Sequence, residues 1–252
     1  MKRKTSCGIL AIALGMLQMR KFRVHKRLLG VLAGLLVLSA SVARADFLFT
    51  IDTGNLGGLD AGTGPYATAL VHLVDATHAT VTFDSLDDGT NTYLMGAENA
   101  VDVNVNASTW SLDSATGTNS FPVFSPGPYS DGGAGTVDGF GSFNQTVNSF
   151  DGYTHSATQV ILSLTNTGGT WADASSVLIG NASGFSVGIH GFACVDPCDA
   201  GTDAAFTGFG TNGEEGGGGG GGGPIPEPGT LILLGSAMVI TFAKLRKKLA
   251  RS

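Results

Sequence analysis

The sequence has no lysine or arginine between Asp46 and Ala243. Of its 14 Lys and Arg residues, nine lie at or before Arg44 and five lie at or after Lys244, whereas all 20 Asp and Glu residues lie between these two basic ends. A cation-free surface repels phosphate groups, which argues against nucleic acids and nucleotides as partners. We predict no cofactor; the same balance leaves Ca²⁺ as the one open alternative, because carboxylates are its ordinary ligands.

Helical periodicity is also scarce, and alternation of apolar and polar residues takes its place. Val101, Val103 and Val105 share one face of a predicted strand, and Asp102 lies on the other face. Asp, Gly and Pro clusters that are typical of turns separate such segments. We therefore predict an all-β fold for residues 46–213, an antiparallel β-sandwich of jelly-roll-like type. Further strands are predicted at Thr68–Val74, Ala79–Phe83, Gln159–Thr165 and Phe185–Ile189, and one helical turn at Trp171–Leu178.

The His-Glu-x-x-His motif of zinc hydrolases is absent, and the Gly-x-Ser-x-Gly spacing of serine hydrolases occurs only at Gly184–Gly188, with Ser186 inside the predicted strand Phe185–Ile189 and not at a strand-to-helix turn. Asp87 and Asp88 are adjacent carboxylates, but they fall in a predicted turn, where such residues are usually solvated. We therefore predict that the protein is not an enzyme, with no catalytic residue. The alternative is a surface hydrolase, which requires carboxylates to converge with histidines in a cleft; the candidates are His72, His78, His155 and His190.

Two binding functions stay open. Residues 84–89 superficially resemble a calcium loop, but Leu86 and Met95 occupy positions where an EF-hand needs oxygen ligands, so only another type of calcium site fits. Carbohydrate binding would rely on two tryptophans, Trp110 and Trp171, to stack on sugar rings. A secreted carbohydrate- or calcium-binding β-sandwich is therefore the alternative function.

The chain has only three cysteines, and two of them, Cys194 and Cys198, lie close together around Val-Asp-Pro. In an exported protein this spacing favours a small disulfide loop. The alternative is a metal site, for which no histidine lies close in sequence. Three intervening residues exclude a CxxC redox motif.

Residues 1–45 are predicted to be a secretory signal peptide. A basic stretch from Met19 precedes the 11-residue apolar run Leu28–Leu38, and Ala43-Arg44-Ala45 is a small-x-small cleavage site. The mature chain would begin at Asp46. Residues 1–18 add a second basic and apolar stretch, which we interpret as the result of a start placed too early, with a long signal as the alternative.

The carboxyl end has four parts: a Glu/Gly linker at 214–223, the motif Pro226-Glu227-Pro228, an uncharged segment at 230–243 and a basic tail at 244–252. As a helix, the 14 residues from Thr230 to Ala243 would rise about 21 Å, short of the roughly 30 Å hydrocarbon core. Snorkelling lysines and local thinning can meet the shortfall. The positive-inside rule then places the basic tail in the cytoplasm and the acidic domain outside.

This order of Pro-Glu-Pro, short apolar span, basic cluster and chain end resembles the PEP-CTERM protein-sorting domain of Gram-negative bacteria. The resemblance covers about the last 30 residues, with Gly229 and Thr230 following the motif. It implies processing by an exosortase, a membrane-embedded cysteine peptidase or transpeptidase, at or near Pro226, Glu227 and Pro228. It also implies release or transfer to the cell surface, often where exopolysaccharide is made.

Taken together, these patterns predict an exported cell-surface or extracellular-matrix protein of structural or interaction type, with a role in biofilm-like material. The expected partners are the Sec translocon, an exosortase, the membrane as a transient anchor, and exopolysaccharide. The expected location is the inner membrane at first and the cell surface or medium afterwards.

Overall fold

A computed structural model describes residues 45–213 of the protein, together with the backbone of Gly223 and Pro224. The predicted signal peptide up to residue 44, most of the linker, and the sorting motif with its apolar segment and basic tail lie outside the described residues. Within residues 45–213, no helix has the length and apolar character needed to cross a membrane.

The described part is mostly antiparallel β-sheet. Its strands are joined by turns rich in Gly, Asp and Asn, which supply the backbone freedom that turns need. Three 3₁₀ helices of three residues each begin at Leu59, Tyr153 and Ala174. The strands are β1 (Phe47–Gly54), β2 (Ala67–Leu73), β3 (His78–Ser85), β4 (Asn91–Met95), β5 (Val101–Val103), β6 (Trp110–Thr118), β7 (Tyr129–Val137), β8 (Gly141–Ser149), β9 (Gln159–Asn166), β10 (Val187–Val195), β11 (Thr207–Asn212) and β12 (Gly223–Pro224).

These strands pair in an antiparallel sense in one sheet of order β6-β9-β3-β2-β1-β11-β10-β5-β8-β7, with β4 paired to β10 and β12 paired to β1. The sheet curls into a nearly closed, barrel-like form. Its two end strands approach each other where Tyr129 of β7 lies against Gly117 of β6. Trp110 of β6 also donates a hydrogen bond to Gln145 of β8 at 3.1 Å. The predicted all-β, antiparallel class is confirmed.

The main core lies inside the curl and takes side chains from both halves of the sheet. From one half, β9 contributes Val160, Leu162 and Leu164, all fully buried. From the other half, β5 contributes Val101 and Val103 to the same cluster. In both strands alternate residues face the core, as the sequence pattern predicts, because successive side chains of a strand point to opposite faces.

A second apolar cluster covers the outer face of the sheet around β5 and β8. Phe143 belongs to it and reaches the outer face because the pairing of β8 with β7 shifts register between Gly133 and Gly135. Such an irregularity turns the following side chains to the other face of a strand. The other buried members are Val137, Phe140 and Phe185, with Phe209 packed against them.

The predicted strand at residues 101–106 is shorter in the structure, where β5 ends at Val103. Beyond Val103, the side chain of Asn144 takes the place of the backbone hydrogen bonds that a neighbouring strand would make with Val105. Its Oδ1 accepts from the N–H of Val105 at 2.7 Å, and its Nδ2 donates to the carbonyl of Val105 at 2.9 Å. The side chain of Val105 is buried, as predicted, although its backbone forms an isolated β-bridge to Leu178 and is not part of a strand.

The contact between Gly117 and Tyr129 gives a test of how the sheet ends meet. A Cβ at Gly117 would fall on the phenol oxygen of Tyr129. We expect Gly117→Ala to push the tyrosine out of this junction and to lower the free energy of unfolding by about 1–3 kcal/mol, the usual cost of overpacking. Urea denaturation would measure it. Gly169→Ala is the matched control, since the nearest atoms to its Cβ lie 3.8 Å away or more; equal stability of the two variants would contradict the expectation.

Candidate functional site

The two cysteines of the mature domain are joined by a disulfide at the end of β10. Cys194 and Cys198 have a Cα–Cα distance of 5.4 Å, and both are buried. The hydroxyl of Tyr153 lies 2.6 Å from Cys194 Sγ and donates to the carbonyl of Asp199 at 3.2 Å. A small apolar cluster that includes Phe192 packs around the bridge. The disulfide therefore fixes the turn after β10 beneath an apolar cover.

Replacing both cysteines by alanine tests this local role. Because the closed loop contains only five residues, loop-entropy arguments give a loss of about 2 kcal/mol in the free energy of unfolding. Denaturation of the Cys194→Ala/Cys198→Ala variant, with and without a reducing agent, would measure it. The wild-type protein in reductant should match the variant, whose stability should not respond to reductant; an unchanged wild-type stability in reductant would argue against the role.

The adjacent carboxylates Asp87 and Asp88, in the segment that superficially resembles a calcium loop, accept local hydrogen bonds. Asp88 accepts from the hydroxyl of buried Tyr93 at 2.5 Å and from the N–H groups of Thr90 and Asn91 at 2.8 and 2.7 Å. The hydrogen bond from Tyr93 is the main cause that lowers the pKa of Asp88. Asp87 likewise accepts from the hydroxyl of Thr92. These hydrogen bonds stabilise the turn between β3 and β4.

Across residues 45–213, no group of three or more His, Cys, Asp or Glu side chains is placed to hold a metal ion. Asp84, the first residue of the calcium-loop pattern, accepts from the side-chain amide of Gln159 at 2.7 Å across the β3–β9 pair. The tryptophans considered for sugar stacking differ in access. Trp171 is buried and donates to the carbonyl of Asn106, whereas Trp110 is only partly buried.

The four histidines of the domain lie in four separate surroundings. The imidazole of His190 lies between the rings of Phe192 and Phe209, with centroid distances of 4.9 and 4.4 Å. Burial lowers the pKa of His190. The hydrogen-bond partners are Asp46 for His72, Asp75 for His78, the carbonyls of Ser125 and Gly127 for His155, and the carbonyl of Glu98 with the hydroxyl of Thr207 for His190.

The predicted cleavage site meets the fold at the start of β1. Asp46, the expected first residue of the mature chain, lies directly before Phe47, and its carboxylate is 2.6 Å from Nδ1 of His72 on β2. At the same end of β1, Pro224 pairs with Phe47 and Gly223 with Leu48. The chain therefore reaches the domain from the predicted signal peptide, and leaves it toward the predicted sorting motif, at one place.

The remaining sorting residues, Pro226, Glu227 and Pro228, lie outside the described residues, as do Ala43 and the apolar segment at 230–243. Their predicted roles stay predictions.

Asp102 is a functional candidate that the sequence pattern does not single out. It lies on the outer face of β5, as predicted, but its carboxyl group is fully buried and neither oxygen has a hydrogen-bond partner. A Cβ added at Gly188 of the neighbouring strand would lie 3.5 Å from an Asp102 oxygen and 3.4 Å from the ring of Phe143. The outer apolar cluster thus covers the carboxyl, and this burial raises the pKa of Asp102 well above its ordinary value.

Asp102 should make the domain less stable as the pH rises. Because its folded pKa is above the unfolded value of about 3.9, the unfolded chain releases the proton first, and about 1.4 kcal/mol of stability is lost per pH unit between the two values. The isosteric variant Asp102→Asn lacks this loss. We expect the variant and wild type to differ least near pH 4 and the variant to gain on wild type toward pH 7, in denaturant titrations at several pH values. Parallel pH profiles would contradict this.

No protein-family model matches the chain, and neither a curated protein nor a solved structure shows a significant match to it.

Proposed function

We propose that the protein is an exported structural or interaction protein, sorted by an exosortase at its carboxyl end and placed at the cell surface or in the extracellular matrix. It passes through the inner membrane as a transiently anchored intermediate. Its contribution there is adhesion or matrix packing beside exopolysaccharide, without catalysis.

The observation that carries this proposal is the segregation of charge along the chain. Both ends combine a basic cluster with a short apolar run, and the 17 Asp and Glu residues of the domain (20 in the chain less Glu214, Glu215 and Glu227) have no Lys or Arg among them. Cations resist transfer across the inner membrane, whereas acidic segments contribute little to topology. The two ends independently favour the same orientation, with the acidic domain outside.

Features of the domain support an extracellular role. A buried disulfide between Cys194 and Cys198 suits an oxidising compartment, since disulfides are rare where thiols are kept reduced. We also infer that the two halves of the curled sheet act as the layers of a jelly-roll-like sandwich, because β5 and β9, from opposite halves, contribute to one core. The carboxylates Asp87 and Asp88 serve their own turn, which favours a structural role over a calcium-binding one.

Processing can be tested with a triple variant, Pro226→Ala/Glu227→Ala/Pro228→Ala, in a Gram-negative host that has an exosortase and in the same host without it. The wild-type chain should end near residue 226 in the exosortase host, whereas the variant should keep residues 231–252 and stay in the membrane. Intact-mass measurement of the medium and membrane fractions gives both ends of each product. A matched control replaces Gly217, Gly218 and Gly219 by alanine and should be processed normally. A secreted wild-type chain that still carries residues 231–252 would contradict the proposal.

Orientation can be tested separately, because trypsin has no cleavage site between Asp46 and Lys244. In inverted inner-membrane vesicles, trypsin should remove an epitope tag placed after Ser252 and leave the domain intact. In spheroplasts it should leave the tag in place. Removal of the tag in spheroplasts would place the basic tail outside and contradict the proposed topology.

A further inference from the structure

The strand β1 is incompletely paired along one edge. On one side β2 pairs with it from Phe47 to Ile51. On the other side β11 pairs with it only from Ile51 to Gly54, because β11 ends at Asn212, opposite Ile51. The amino-terminal half of β1 therefore offers an edge that β11 does not cover, although β1 lies in the middle of the sheet order.

The segment Gly223–Pro224 occupies this edge in the antiparallel sense, with Gly223 opposite Leu48 and Pro224 opposite Phe47. A Gly-Pro pair suits the edge of a strand. Proline has no N–H and is accepted beside a strand only where no donor is needed, so Gly223 must supply the N–H of the pair. The pairing is short, which allows it to be displaced.

We propose that the Phe47–Leu48 edge of β1 is a docking site for the segment directly before Pro226, and that the processing enzyme must draw this segment off before it can cleave. This inference rests on the proposed function. Pro226 is two residues beyond Pro224, so the motif follows directly after the docked pair in the chain. A peptidase binds its substrate as an extended chain, and the same backbone cannot pair with β1 and the enzyme at once.

The chain's own segment is favoured over a second copy for this edge. Residues 213–222 form a ten-residue connection between Asn212 and Gly223, long enough to reach along half of one strand. A connection of this length gives its end an effective concentration in the millimolar range, well above that of a separate chain. Covering the edge also prevents pairing between domains, which exposed strand edges invite.

A disulfide trap tests the docking without any processing enzyme. Leu48→Cys with Gly223→Cys, in a full-length Cys7→Ser background purified in detergent, should form an intramolecular disulfide. Thr50→Cys with Gly223→Cys is the matched control, since Thr50 lies on the same face of β1, two residues out of register. We expect the first pair to oxidise at least tenfold faster. Equal rates, or disulfides mainly between chains, would overturn the proposal.

The disulfide-trapped protein then tests whether docking of Gly223 on β1 slows cleavage at the sorting motif. In membranes that contain the exosortase, the oxidised Leu48→Cys/Gly223→Cys chain should be cleaved at least tenfold more slowly than the same chain after reduction. Cleavage at equal rates would overturn the proposed restraint. If the wild-type chain is not cleaved at all, the proposed function fails, and the trapping rates still decide whether the edge binds this segment.

Discussion

The domain folds without a single lysine or arginine, and this constraint shapes how its charges are held. A carboxylate in most proteins can pair with a cation, but here its partners are backbone N–H groups, hydroxyls, side-chain amides and histidines. Asp75 accepts from the N–H groups of Thr77 and His78, and Asp173 accepts from the N–H of Ser176. Acidic side chains are therefore concentrated in turns, where such donors are free, and the sheet itself is held by its apolar core and its backbone ladder.

Asp102 departs from this arrangement, since it is the carboxyl that the fold buries without any donor. Its position follows from the outer apolar cluster, which covers one side of the sheet while the main core covers the other. Burial in apolar surroundings costs less for a protonated carboxyl group than for a charged one, so these surroundings oppose the ionisation of Asp102. The protein thus combines surface carboxylates such as Asp75 and Asp88, whose pKa is lowered by hydrogen-bond donors, with one inside whose pKa is raised by burial.

The sequence pattern predicts the class of fold and several strand faces because alternation is a local property. Val160, Leu162 and Leu164, and Val101 with Val103, face the core as their spacing indicates. The sequence pattern does not predict β1, β4, β8 and β11, and it also misses β6 and β7. These two end strands are largely exposed and rich in Gly, Ser and Thr, without a buried stripe. The burial of Asp102 depends on Phe143 crossing to the outer face at a register shift, which is a property of two strands together and cannot be inferred from either one.

The pairing of β1 with β11 joins residues 51–54 to residues 210–212, so the first strand of the domain is completed by its last long strand. Contacts this distant in sequence form late in folding, because the intervening loop must close first. In a chain that crosses a membrane from its amino end, the sheet cannot close until nearly the whole acidic segment has emerged. If the chain is exported as proposed, the domain would become compact only when the carboxyl-terminal apolar run follows it to the bilayer, so the chain would stay unfolded during its passage.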